Sequence, residues 1–302
     1  MQATSNKKLR FSKKQSLALN FLLATTVGLV VSASNAVAEN PYKDDSQPHI
    51  SVELISEKRQ LSAGESTLIG VHFVPEHHWH VYWLNPGDTG LSPTVDWQLP
   101  EGFVISDLQW PFPQSIPVAH LTNYGYEADT SLYATLTAPK DFTGQSEVEI
   151  NADLSWLVCK EACVPGDTSL GLAFNTTDNA KNAADQSAVN NHAVNILDHA
   201  KSQTPKSQKV IGSNVKLNKA DKLLALDLYA ESLLFKDAKT VEVFVKTLDV
   251  VEYSKPLKIH WKSNRLRWQQ TLSEYFTKLP KNIDIVVVVD KSKSYEFSLS
   301  TS

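Results

Sequence analysis

The chain is poor in sulfur: of 302 residues two are cysteine, and the single methionine is Met1. Two cysteines cannot build the disulfide framework on which small secreted domains depend, so the fold must stand on a hydrophobic core. Long apolar runs are scarce as well. Beyond Val31 none is long enough to span a bilayer, and Ile283 to Val289 has the length of a strand. A Ser-His-Asp signature, a phosphate loop and a nucleotide fingerprint are absent, which removes the enzyme classes those motifs announce. Positive charge is also in short supply, with 29 Lys and Arg against 33 Asp and Glu, a formal charge of −4. Five of the basic residues fall within the first 38 positions, so a chain without that segment carries −9. An acidic surface of this kind argues against nucleic acid or anionic lipid as a partner.

What the N-terminus does contain is an export pattern. Lys7, Lys8, Arg10, Lys13 and Lys14 form a positive region without acids. An apolar run from Leu17 to Val31 follows, and Ala36-Val37-Ala38 fits a small-x-small cleavage site. The expectation is a signal peptide over 1–38, cleaved after Ala38, with no membrane insertion afterwards. Asn20, Thr25, Thr26, Ser32 and Ser34 make the alternative, an uncleaved anchor, a poor bilayer span. An exported chain works where disulfides form.

From His49 to Phe174 short apolar or alternating runs recur between turn signals: 50–54, 67–73, 94–97, 132–136, 148–152 and 170–174. Ala63-Gly64, Asn85-Pro86-Gly87-Asp88, Leu99-Pro100-Glu101-Gly102 and Phe142-Thr143-Gly144 punctuate them. Even spacing without a long amphipathic helix predicts an all-β fold built as a β-sandwich. Pro111, Pro113 and Pro117 predict a loop leading to a turn at Tyr124-Gly125-Tyr126-Glu127. A polar stretch follows, with Ala188, Val189, Val194, Ile196 and Leu197 loosely at helical spacing, ending at Thr204-Pro205. After it come six further strand-like runs, 223–229, 240–245, 258–261, 266–272, 283–289 and 295–299. A length of roughly 260 residues after the signal suits two domains. The expected division is 39–177 as a β-sandwich, 178–207 as a polar linker with a helix, and 208–302 as a second, cysteine-free β domain.

The chemistry concentrates in Ser155 to Gly166, SWLVCKEACVPG. Residues four apart on one strand lie roughly 13 Å from each other, whereas one helical turn or a tight loop brings their Cα atoms to about 6 Å, within disulfide reach. Cys159 and Cys163 can therefore bridge if the chain turns at Lys160-Glu161-Ala162, and Pro165-Gly166 reads as a further turn signal. A close pair of this kind is the minimum equipment for thiol–disulfide exchange: one thiolate attacks, the second thiol resolves the mixed disulfide. The alternative is an inert staple. So short a bridge removes less unfolded-chain entropy than the ~3 kcal/mol of a 15-residue loop, which makes stapling a weak reason for its presence. Lys160 would favour a thiolate and Glu161 would oppose it.

His77, His78 and His80 raise a third possibility, metal handling such as copper, but His-His-x-His beside one short cysteine pair matches no usual zinc spacing. No metal and no cofactor are expected. Asn85, Gly87, Asp88 and Gly90 read as turn residues.

Three blocks carry a resemblance: HWHVYWLNPGDTGLSPTVDW (His78 to Trp97), FPQSIPVAHLTNYGYEADTSL (Phe112 to Leu132) and LVCKEACVPG (Leu157 to Gly166). In order and spacing they resemble the N-terminal periplasmic domain family of the disulfide-reducing transporter DsbD, in its ScsB-type and stand-alone branch. The cysteines here have three residues between them, fewer than in the best-known DsbD domains. The resemblance implies an immunoglobulin-like sandwich whose cysteines shuttle reducing equivalents in the periplasm. It implies that Cys163 forms the mixed disulfide and Cys159 resolves it. It also implies that Tyr124, Tyr126 and Glu127, with His80 and Trp83, line or cap the pair. The chain has neither a multi-span membrane domain nor a Cys-x-x-Cys motif. Its expected partners are therefore thioredoxin-like periplasmic proteins, a membrane electron transporter supplied by another chain, or both. The rival reading is a non-catalytic adaptor with a structural disulfide.

Overall fold

Alternation of apolar and polar residues produces most of this fold. The computed structural model describes residues 43–44, 46–141, 147–177, 189–254 and 258–301; the expected signal peptide and its cleavage site lie outside them. In chain order the strands of the first β-rich region are β1 (Lys43–Asp44), β2 (Ile50–Ser56), β3 (Gln60–Ser62), β4 (Ser66–Pro75), β5 (His80–Gly87) and β6 (Thr94–Gln98). They continue with β7 (Val104–Ile105), β8 (Gln114–Val118), β9 (Leu121–Tyr126), β10 (Thr130–Thr137), β11 (Glu147–Cys159) and β12 (Cys163–Thr177). Helix α1 (Asn191–Gln203) follows. The second region holds β13 (Lys206–Ser207), β14 (Val210–Asn218), β15 (Leu223–Ala230), β16 (Val241–Val245), β17 (Lys258–Lys262), β18 (Arg265–Thr271), β19 (Asn282–Val289) and β20 (Lys293–Ser300).

The first region forms two sheets, ordered β1-β2-β4-β10-β7 and β3-β12-β11-β5-β9-β8, with β6 paired to β11. One core joins them: Val52, Leu54, Ile69, Val71, Phe73 and Leu132 from the first sheet meet Val81, Trp83, Ile150, Leu154, Trp156 and Phe174 from the second. Strand β11 shows the logic most plainly. Val148, Ile150, Ala152, Leu154, Trp156 and Val158 are buried, while Glu147, Glu149, Asn151, Asp153 and Ser155 are exposed, the period-two pattern of a half-buried strand.

The runs expected at 50–54, 67–73, 94–97, 132–136, 148–152 and 170–174 all fall inside strands. The proline-rich segment does not behave as expected. Residues 114–118 form β8, and Tyr124 to Tyr126 end β9 rather than making a turn. The hairpin between them turns at Ala119-His120, with Ala119 at φ 53°. Pro117 is tolerated because β8 lies at the end of its sheet, where a missing N–H costs no ladder bond. Pro165 and Gly166 likewise lie within β12, not in a turn.

Helix α1 is capped by Asn190, whose side chain accepts from the Ala193 N–H, and ends before Pro205. Ala193, Leu197 and Ala200, spaced by four and three, pack on Ile55 and Tyr133 of the first sheet. A Cβ on Gly70 would sit 2.9 Å from Leu197 Cδ2, so glycine there lets the helix settle on the sheet.

All six runs expected in the second region fall within strands, apart from single end residues. Its sheets are β13-β20-β19-β16 and β14-β15-β18-β17, sharing a core of Leu224, Leu226, Leu228, Trp268, Ile285, Val287 and Phe297. Glu39–Ser302 forms one compact unit. Within it Phe244, Val286 and Val288 of the second region join the core of the first.

Candidate functional site

Strands β11 and β12 make a long hairpin whose last register pair is Cys159 and Cys163. The chain turns through Lys160-Glu161-Ala162, where the Lys160 N–H donates to the Ala162 carbonyl at 3.1 Å. The two Cα atoms are 4.1 Å apart, close to the shorter cross-strand separation of an antiparallel pair, and the cysteines form a disulfide. Hairpin register, rather than a helical turn, brings them together.

The two sulfurs differ in access. Cys159 is 2% exposed, whereas Cys163 lies at the surface. Cys159 is flanked on its other side by β5, in register with His80. Cross-strand partners share a face, so His80, Tyr82, Cys159 and Cys163 project to the same side of the sheet. Their immediate neighbours Val81 and Val158 project into the core.

On this outer face the side chains form a polar cluster. The Tyr82 hydroxyl lies 3.6 Å from Cys163 Sγ. The Asn123 amide nitrogen lies 3.4 Å from both the Tyr82 hydroxyl and His80 Nε2. Thr89 Oγ1 donates to Asn123 Oδ1 at 2.8 Å. The loop after β5 covers the cluster: at Gly90, with φ +97°, a Cβ would fall 2.2 Å from the Tyr82 ring. Burial pulls the His80 pKa down from 6.5 to about 4, so the imidazole is neutral at physiological pH. Burial likewise raises the Tyr82 phenol above its ordinary value, with the hydrogen bond from Thr89 opposing.

Of the residues expected to line the pair, the structure brings His80 to Cys159. Trp83 and Tyr124 lie on the core side, where both rings meet Phe244 edge-on and Tyr124 also meets Tyr253. Tyr126 is buried and donates its hydroxyl to the Pro111 carbonyl at 2.7 Å. Glu127 is exposed just beyond β9. The places expected for Trp83, Tyr124 and Tyr126 beside the cysteines are held by Tyr82 and Asn123. Strand parity alone makes the difference: Trp83 is one step from Tyr82, and Tyr124 one step from Asn123. The His77 and His78 rings lie 3.7 Å apart, tilted by 42°, on the exposed turn before β5, while His80 is buried beside Asn123. Among the described residues no group of three or more His, Cys, Asp or Glu is placed to hold a metal ion. No helix among them is long and apolar enough to cross a membrane.

Residues 51–175 match the family model of the thiol:disulfide interchange protein DsbD, N-terminal. The match contains the cysteines, Tyr82 and Asn123 and stops before α1. Among solved structures, the N-terminal periplasmic domain of ScsB from Proteus mirabilis is 18% identical. Its TM-score is 0.60, and the alignment covers 86% of this chain and 96% of that one. This is a likeness of fold that extends through the second β-rich region. The N-terminal Ig1-2 module of the Drosophila receptor protein tyrosine phosphatase DLAR aligns at 8% identity and a TM-score of 0.21, over 83% of this chain and 98% of that one. So weak a similarity carries no argument. No curated protein matches the chain.

Proposed function

We propose, from the match of residues 51–175 to the DsbD N-terminal family model, that the chain is a periplasmic thiol–disulfide oxidoreductase module that relays reducing equivalents through Cys159 and Cys163. The observation that carries this reading is the unequal pair at the hairpin tip, one sulfur buried and one exposed. A dithiol partner can reach Cys163. Its thiolate attacks Cys163 Sγ, the bond to Cys159 breaks, and the electron pair leaves on Cys159 as thiolate. The partner's second thiol then displaces Cys163, so the partner becomes the disulfide and this chain the dithiol. Run backwards, the same steps let the reduced chain attack a partner disulfide through Cys163, with Cys159 resolving.

The family match, the two facing sheets and the likeness to the ScsB domain support an immunoglobulin-like sandwich for 39–177. The linker and helix are then 178–207, and the second β domain 208–302. The export pattern of residues 1–38 supports a cleaved signal and a periplasmic location. The partners this chemistry calls for are thioredoxin-like proteins or a membrane electron transporter on another chain. The test is trapping: Cys159→Ala, activated as the mixed disulfide of Cys163 with thionitrobenzoate and incubated with a thioredoxin-fold protein whose resolving cysteine is replaced, should release thionitrobenzoate and accumulate a reducible mixed disulfide through Cys163. Failure with every thioredoxin-like protein tried, under conditions where Cys163 alkylates freely, would leave the adaptor reading in its place.

A further inference from the structure

The family match ends at residue 175, yet a series of hydrogen bonds, continued through the backbone of Gly87 to Thr89, runs from the second β-rich region to the cysteines. It begins at Asn85, which is fully buried. Both amide hydrogens of Asn85 are committed to the second region: Nδ2 donates at 2.7 Å to the Val245 carbonyl and at 2.7 Å to the Tyr253 hydroxyl. Its Oδ1 accepts from the Gly87 N–H at 3.1 Å, fixing the turn that follows. Asp88 then makes a second bridge. One carboxylate oxygen accepts from the Tyr253 N–H at 3.3 Å and the other from the Thr122 N–H at 2.8 Å. Thr89 reaches Asn123, and Asn123 reaches Tyr82 and His80. Tyr82 closes the series at Cys163.

We propose that the second β-rich region is a positioning element for the exchange site: Tyr253, acting through Asn85, Asp88, Thr89 and Asn123, holds the Tyr82 hydroxyl where it donates to the Cys163 thiolate formed during exchange. This rests on the exchange reading above. A thiolate accepts a hydrogen bond more strongly than a disulfide sulfur does, because the acceptor is charged, so a held hydroxyl favours the thiolate and lowers the pH at which it forms. The loop is built for close approach. A Cβ on Gly87 would fall 2.4 Å from the Thr122 carbonyl, and one on Gly90 would strike the Tyr82 ring. Tyr253 and Phe244 pack edge-on against Tyr124, so the second region contacts β9 on its core side while the loop reaches Asn123 on the other. Within the series Tyr82 touches a reacting atom; Asn123, Thr89, Asp88, Asn85 and Tyr253 are positioning residues.

The experiment uses the full mature chain and measures two things. The first is the rate at which glutathione reduces the folded wild-type protein. The second is the pH midpoint of iodoacetamide labelling of Cys163 in a Cys159→Ser background. Thr89→Val and Tyr253→Phe each remove one hydroxyl. Thr89 is exposed, Thr89→Ser restores the hydroxyl, and a melting curve on each variant establishes that it folds. The expected result is a higher labelling midpoint and reduction slowed about three- to tenfold in both variants, with a double variant no worse than the worse single and wild-type behaviour in Thr89→Ser. A purely structural role moves the melting temperature and leaves the labelling midpoint in place. If wild type is reducible while both variants label at the wild-type midpoint, the relay is overturned and exchange survives. If glutathione cannot reduce folded wild type at all, both ideas fall.

Discussion

Tyr82 and Cys163 are 81 positions apart in the chain, yet the phenol oxygen of one lies 3.6 Å from the sulfur of the other. The contact exists because β5 and β12 flank β11, which carries Cys159 between them. The exposed sulfur therefore has a hydrogen-bond donor beside it, and the buried sulfur has a neutral imidazole as its strand neighbour.

The asymmetry predicts which variant traps partners. Cys159→Ser should leave a mixed disulfide on Cys163, while Cys163→Ser should trap little, because Cys159 is 2% exposed. Non-reducing electrophoresis followed by mass spectrometry of the trapped species checks it, and equal trapping through both cysteines would contradict the assignment.

Removing the bridge should cost little stability. For a loop as short as Cys159 to Cys163, chain entropy predicts a contribution of about 2 kcal/mol. Urea unfolding of oxidised and reduced protein measures it; a loss well above that would point to a structural staple.

Stability should depend on pH through His80. Its folded-state pKa of about 4 lies below the ordinary 6.5, so the unfolded chain takes up the proton first. The contribution is complete above pH 6.5, is lost as pH falls towards 4, and changes no further below that. Denaturation midpoints across this range should show the slope in wild type and a shallower one in His80→Gln; identical slopes would mean that His80 is not the group responsible.

Gly90→Ala should disturb site and fold together. Its Cβ would overlap the Tyr82 ring, and φ +97° is strained for any L side chain. A stability cost of about 1–3 kcal/mol is expected together with slower reduction of the disulfide. An unperturbed reduction rate would show that the loop does not position Tyr82.

The helix supplies a control remote from the cysteines. Leu197 is fully buried against the first sheet, so Leu197→Ala should lower stability by about 2–5 kcal/mol without changing Cys163 labelling in the folded protein. A change in labelling would tie α1 to the site.

Period-two alternation made β11, β15, β18 and most other strands legible in advance, because each has one face in a core and one in water. Four features were not legible. Proline masked β8, whose position at the end of its sheet removes the usual penalty. The turn residues of Asn85 to Gly90 concealed both the end of β5 and the loop over Tyr82. The sequence points to Trp83 and Tyr124 rather than to Tyr82 and Asn123, one residue away, since the face each occupies depends on strand register. His80-x-Tyr82 opposite Cys159 was the available signal, but reading it required knowing that β5 pairs with β11. Nor could local sequence indicate that Asn85 meets Tyr253, 168 positions later.

Exchange of Cys159 and Cys163 with partner thiols is tested most directly by a glutathione redox titration of the chain from Glu39 onward, followed by thiol labelling. The account predicts reduction in the folded state with a midpoint roughly between −180 and −270 mV, the range of exchange-active dithiols. A midpoint below about −300 mV, with no labelling until the protein unfolds, would contradict it and mark the pair as a structural bridge.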